Sequence, residues 1–75
     1  MRYTKVDVKL FQEEMRKSGY IIETLAAELK LSRTGLFNKI HNKSEFKASE
    51  IATISALFKL TKAKKDSIFF TVNVE

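Results

Sequence analysis

The sequence predicts a small all-α domain of four to five helices built around a helix-turn-helix, and three observations carry that expectation. The run Leu25-Ala26-Ala27-Glu28-Leu29-Lys30-Leu31-Ser32-Arg33-Thr34-Gly35-Leu36, continued by Ile40-His41, spaces its apolar residues as two short helices across a tight turn would. Apolar residues recur at helical spacing on either side of it, at Leu10, Phe11 and Met15 and again at Ile51, Ile54 and Leu57. Finally, the 75 residues contain no Pro and no Gly/Ser linker, so one domain spanning 1–75 is expected. A chain of this length buries only about 60% of the surface its unfolded form exposes, so its stability should be modest.

Taken in order, the first helix is expected over Val6 to Ser18, with Asp7 as its cap and Gly19 at its stop. The helix-turn-helix spans 22–41: a helix over Ile22 to Leu29, a turn pinned by Leu31, and a helix over Arg33 to His41 capped by the hydroxyl of Ser32. Ala26 is small where the second helix must cross closely. Asn42 to Lys47 reads as a loop in which Phe46 folds back onto the core. A fourth helix should open near Ser49 and run to about Phe58, with Ile51, Ile54, Leu57 and Phe58 inward, and Thr61 can cap a short fifth helix to Lys65 or Asp66. No internal repeat or low-complexity tract is evident. The ends read differently: Tyr3-Thr4-Lys5-Val6 and Phe70-Thr71-Val72-Asn73-Val74 alternate polar and apolar residues in the period of a half-buried strand, so short paired terminal strands are an open expectation beside fraying.

The formal net charge of +5 matters through its placement. Residues 1–29 are balanced, whereas 30–47 carry Lys30, Arg33, Lys39, Lys43 and Lys47 against Glu45 alone, a balance of +4. That excess lies on the second motif helix and the loop behind it, where phosphate neutralisation would be needed, although a solvated basic face has the same composition.

If Leu36 and Ile40 face the core, the 100° step per residue puts Thr34, Asn38 and His41 on the opposite face, with Gly35 and Phe37 on its flanks. Asn38 is the best base reader, because its amide both donates and accepts as adenine N6 and N7 require. Arg33 can take guanine or phosphate. Thr34 and Ser32 can bond phosphate or a base edge, Ser32 only if capping leaves it free, and Lys39, Lys43 and Lys47 are read as phosphate contacts. His41, the sole histidine, suits a backbone or base contact as well as plain exposure. A helical Gly costs about 1 kcal/mol relative to Ala, so Gly35 suggests a close approach to the backbone. Phe37 either touches a thymine methyl, packs on a protein partner, or leans back onto Ile22 or Leu25.

The Leu25–Leu36 motif with Ile40-His41 resembles the helix-turn-helix of the phage Cro and repressor group, the Xre-type, lambda repressor-like regulators. Asn38-Lys39-Ile40-His41-Asn42-Lys43-Ser44-Glu45-Phe46, Ser49-Glu50-Ile51 and Ile68-Phe69-Phe70 resemble small Cro-like proteins of phages infecting low-GC Gram-positive bacteria. The resemblance implies operator binding in a lysis–lysogeny switch, and some Cro proteins add short strands to the helical core. Two residues depart from the family pattern: Ile21 stands where a Thr cap is usual, and Lys30 where the turn usually has Gly. The first leaves N–H groups without a side-chain acceptor, and the second should strain or reshape the turn.

Two functions follow as expectations. One is a transcriptional regulator on double-stranded operator DNA, expected to bind a palindrome as a homodimer. The other is an antirepressor, a modulator of repression that binds the phage repressor itself, favoured by the apolar patch Ile21, Ile22 and Phe37. Catalysis is not expected, since one His, no Cys and two separated Gly supply neither a triad, a metal site nor a nucleotide loop, and no cofactor is implied. The absence of Cys, of a long apolar run and of a signal-like amino terminus reads as cytoplasmic, in a bacterial host, with no membrane partner.

Overall fold

The computed structural model describes residues 2–73, with the strand ends 2–4 and 71–73 described as backbone only. In chain order it contains β1 (Arg2–Val6), α1 (Val8–Lys17), α2 (Ile22–Leu29), α3 (Arg33–Ile40), α4 (Ala48–Leu57), α5 (Lys62–Ile68) and β2 (Phe69–Asn73). The terminal strands form a two-stranded antiparallel sheet whose register runs from Arg2 opposite Asn73 to Val6 opposite Phe69. Val6 ends β1, as the strand alternation expects, so that α1 opens at Val8 instead of Val6; β2 begins one residue earlier than expected, at Phe69, and the expected Val74 lies outside the described residues. Asp7 joins the two structures. Its N–H donates to Ile68 O at 2.8 Å, continuing the sheet, while its carboxylate accepts from Leu10 N at 3.1 Å and caps α1.

A cluster of aromatic rings binds sheet to helices. Phe11 on α1 stacks against Phe46 from the α3–α4 loop at 5.9 Å and meets Phe58 and Phe69 edge-on at 5.7 and 5.9 Å. Leu25, Leu36, Ile54 and Ile68 complete the core with no exposed side-chain surface, and Ala26 and Ile40 are buried where α2 and α3 cross. Phe46 is thus the anchor its sequence position suggests. Glu14, buried on α1, lies 3.5 Å from both Lys17 and Lys64, and the second contact ties α1 to α5. The fifth helix extends to Ile68, beyond the expected end near Asp66, because Ile68 and Phe69 are both pulled into the core.

Four helices end in the same way. At each, a residue in the left-handed region (Gly19, Lys30, Asn42, Lys59) is followed by one whose N–H donates five residues back, as in Tyr20 to Met15 O, Leu31 to Ala26 O, Lys43 to Asn38 O and Leu60 to Ser55 O. Lys30 therefore does not reshape the turn; it occupies the strained conformation outright, with φ 56°. Lys59 does the same with φ 53°. The two turns Lys30-Leu31-Ser32-Arg33 and Lys59-Leu60-Thr61-Lys62 are short repeats in sequence as well as in geometry, with Ser32 and Thr61 capping the next helix in each. That repeat, unread in the sequence, has the pattern of a left-handed Lys, an inward-turned Leu and a hydroxyl cap.

Candidate nucleic-acid interface

The recognition-helix candidate α3 is held by Leu36 and Ile40, which leaves Thr34, Asn38 and His41 on the side away from the core. Thr34 is exposed; Asn38 and His41 are half-buried. Ser32 serves as the cap, accepting from Gly35 N at 2.9 Å, which commits one lone pair of its hydroxyl to the helix and leaves the O–H able to donate. A Cβ at Gly35 would lie 3.0 Å from Ser32 Oγ, a tight contact that the cap would have to relax by a few tenths of an ångström.

The basic residues divide into two kinds. Lys43 and Lys47 are exposed, and among the described residues neither is held in an ion pair. Lys39 is different: its ammonium lies 2.6 Å from Glu50 Oε1, with only 13% of its side chain exposed, so the expected phosphate contact is corrected to a structural ion pair joining α3 to α4. Glu50 also accepts from Lys47 N at 2.8 Å, which supplies the cap that the Lys47 side chain cannot. Burial alone pushes the Glu50 carboxyl up, but the Lys39 and Lys47 hydrogen bonds and the two ammonium charges outweigh it and hold the group below the ordinary glutamate value. Arg33, at the start of α3, reaches Glu23 on α2 at 3.4 Å through an exposed pair that a phosphate can displace at little cost.

Asn42 has a role the sequence did not disclose. Its side chain accepts from Val6 N at 2.7 Å and donates to Val6 O at 3.0 Å, which fastens the end of α3 to the free edge of β1. A left-handed Asn after a helix was the available signal, since Asn tolerates that conformation, but its partner 36 positions earlier was not legible.

On its other flank α3 borders an open trough. Its main part, about 570 Å³, is floored by Met15 of α1, Ile22 of α2 and Phe37 and Ile40 of α3, with Arg33 and His41 at the α3 wall. A second part, about 360 Å³, shares Gln12, Met15 and Ile22 and continues to Arg16, Tyr20 and Ile21. Phe37 is 44% exposed, shares the trough floor with Ile22, and its ring centroid lies 4.2 Å from that of His41. Ile21 is 59% exposed at the cap position of α2, where it has no side-chain acceptor to offer. Thr24 makes up part of the loss, its hydroxyl accepting from Ile21 N at 3.0 Å and donating to Ile21 O at 3.1 Å. The apolar patch Ile21, Ile22 and Phe37 is therefore continuous across two helices.

No family model matches the chain, and neither a curated protein nor a solved structure matches it. Among the described residues there is no group of three His, Cys, Asp or Glu arranged to hold a metal ion, and no helix is long and apolar enough to cross a membrane.

Proposed function

We propose that this protein is a sequence-specific DNA-binding regulator that inserts α3 into the major groove. The observation that carries the proposal is the open face of α3, where Thr34, Asn38 and His41 stand opposite the buried Leu36 and Ile40, with exposed Lys43 and Lys47 immediately behind. Asn38 reads a base, Arg33 exchanges Glu23 for a phosphate or guanine, and Lys43 and Lys47 set orientation on the backbone. The resemblance to small phage Cro-like proteins supports an operator-occupying role in a lysis–lysogeny switch in the bacterial cytoplasm, with two copies on a palindrome. A gel-shift titration on DNA flanking its own gene tests this, with a retarded complex expected at low salt.

The apolar trough beside α3 favours a second reading, an antirepressor that docks on the phage repressor. A DNA reader gains nothing from an exposed Ile at the position where α2 would approach phosphate. Adding the neighbouring repressor to the same titration separates the readings: a DNA regulator shifts DNA alone, whereas an antirepressor removes the repressor's shift without producing its own.

A further inference from the structure

We infer that the trough between α1, α2 and α3 is the docking groove for an amphipathic helix bearing carboxylates, an inference that gives chemical form to the antirepressor reading and rests on it only for the partner's biological identity. The floor is apolar and continuous through Met15 and Ile22, and it is open along its length, as a helix laid into a groove requires. Two volumes sharing one floor match two large apolar anchors on one face of the incoming helix.

Charge selects the occupant. The basic side chains lining the trough are Arg16, Arg33 and His41, beside the phenol of Tyr20, and no carboxylate lines either part. Glu23 offsets Arg33 only through an exposed contact at 3.4 Å, which a carboxylate on the partner can replace. A second copy of this chain is a poor occupant, since each copy carries a net charge of +5. Nucleic acid suits the floor no better, because its charged backbone would cover apolar side chains.

Ile21 supplies an independent argument. Isoleucine is among the weakest residues at a helix cap, and here it leaves the first turn of α2 without a side-chain acceptor while exposing most of its own surface. A polar cap would improve both. The residue is explained if its side chain is buried by a partner at the end of the trough.

The test is a selection from a displayed library of 16-residue helix-forming peptides, with the full chain as bait and the Phe37→Ala variant as counter-selection. Enriched peptides should carry two apolar anchors three to seven positions apart with Asp or Glu beside them. A synthesised winner should bind Phe37→Ala at least ten-fold more weakly, and Ile21→Ser at least five-fold more weakly even though Ile21→Ser melts at a higher temperature. Absence of enrichment, winners that are basic or lack paired anchors, or affinity unchanged by both substitutions would overturn the groove. The cognate repressor domain, tested in parallel, separates this from the reading it extends. If peptides bind as expected and the repressor does not, the groove stands and the antirepressor falls. If the repressor binds with no loss in either variant and no competition from the peptide, the antirepressor stands and the groove falls.

Discussion

The two flanks of α3 are built on opposite principles. Toward α4 and β1 the polar side chains at the contact find partners: Lys39 meets Glu50, Glu50 caps α4, and Asn42 pairs with both polar groups of the Val6 backbone. Toward α1 the helix borders the open apolar trough, where Phe37 of α3 and Ile21 at the start of α2 remain 44% and 59% exposed. A domain of this size has little stability to spare, so the locked flank fixes the helix while the open flank keeps surface available. The difference teaches which residues are structural and which are free to serve a partner.

The sharpest way to break the comparison is to unlock the first flank. Glu50→Ala leaves the Lys39 ammonium half-buried without a partner and removes the cap of α4, and should cost about 3 kcal/mol, read as a large fall in melting temperature. The same group sets an acid limit. Because its folded pKa lies below the unfolded value, its contribution is present at neutral pH and lost as pH falls through the folded pKa, below the ordinary glutamate range. Urea titrations of wild type and Glu50→Gln between pH 7 and pH 3 should show a steeper acid loss in wild type. Parallel curves would remove Glu50 from the lock.

Asn42 comes next. Asn42→Ala loses two hydrogen bonds and puts in the left-handed region a residue that tolerates it less well than Asn, for about 2–3 kcal/mol in all, whereas Asn42→Gly loses the bonds and keeps the conformational freedom. If the two variants are equally stable to urea, the left-handed position is not part of the cost. A smaller effect is expected on the reading face: Asn38→Ala should relax preference at one base position by about 1–3 kcal/mol, while Lys43→Ala weakens all sequences alike. An unchanged ratio of operator to random DNA binding for Asn38→Ala would exclude α3 as the reader.

On the open flank the expected changes are small and of opposite sign. Ile21→Ser should stabilise by about 1 kcal/mol by supplying the missing cap; away from this flank, in the turn between α2 and α3, Lys30→Gly should stabilise by up to about 1 kcal/mol by relieving the left-handed side chain. Calorimetry on Ile21→Ser tests whether this flank gives up stability for surface, and a fall in its melting temperature would contradict that.

Much of this was legible in the sequence because the signals were local. The Asp7, Ser32 and Thr61 caps, the apolar spacing of α2 and α3, and the inward turn of Phe46 all depend on neighbours within a few residues or on one apolar side chain. What stayed hidden depends on partners distant in sequence. Nothing in the helix that carries Lys39 reveals Glu50, so its sequence context suggests phosphate, and the partner of Asn42, Val6, lies at the other end of the chain. The terminal strands were ambiguous because isolated pairing is marginal in water; burial of Val6 and Phe69 against Phe11 and Phe46 supplies the missing stability.

The central claim is that α3, fixed on one flank, presents a DNA-reading face. With Lys39 withdrawn into its ion pair, Arg33, Lys43 and Lys47 remain for phosphate, which sets the expected electrostatics. Fluorescence anisotropy of labelled DNA flanking the protein's own gene, titrated at salt concentrations from 50 to 300 mM, measures this directly. We expect log K to fall with log salt at a slope of about −3 per protomer, unchanged by Lys39→Met and reduced by about 1 in Lys43→Ala. No binding at the lowest salt, or a slope insensitive to Lys43 and Lys47, would contradict the account.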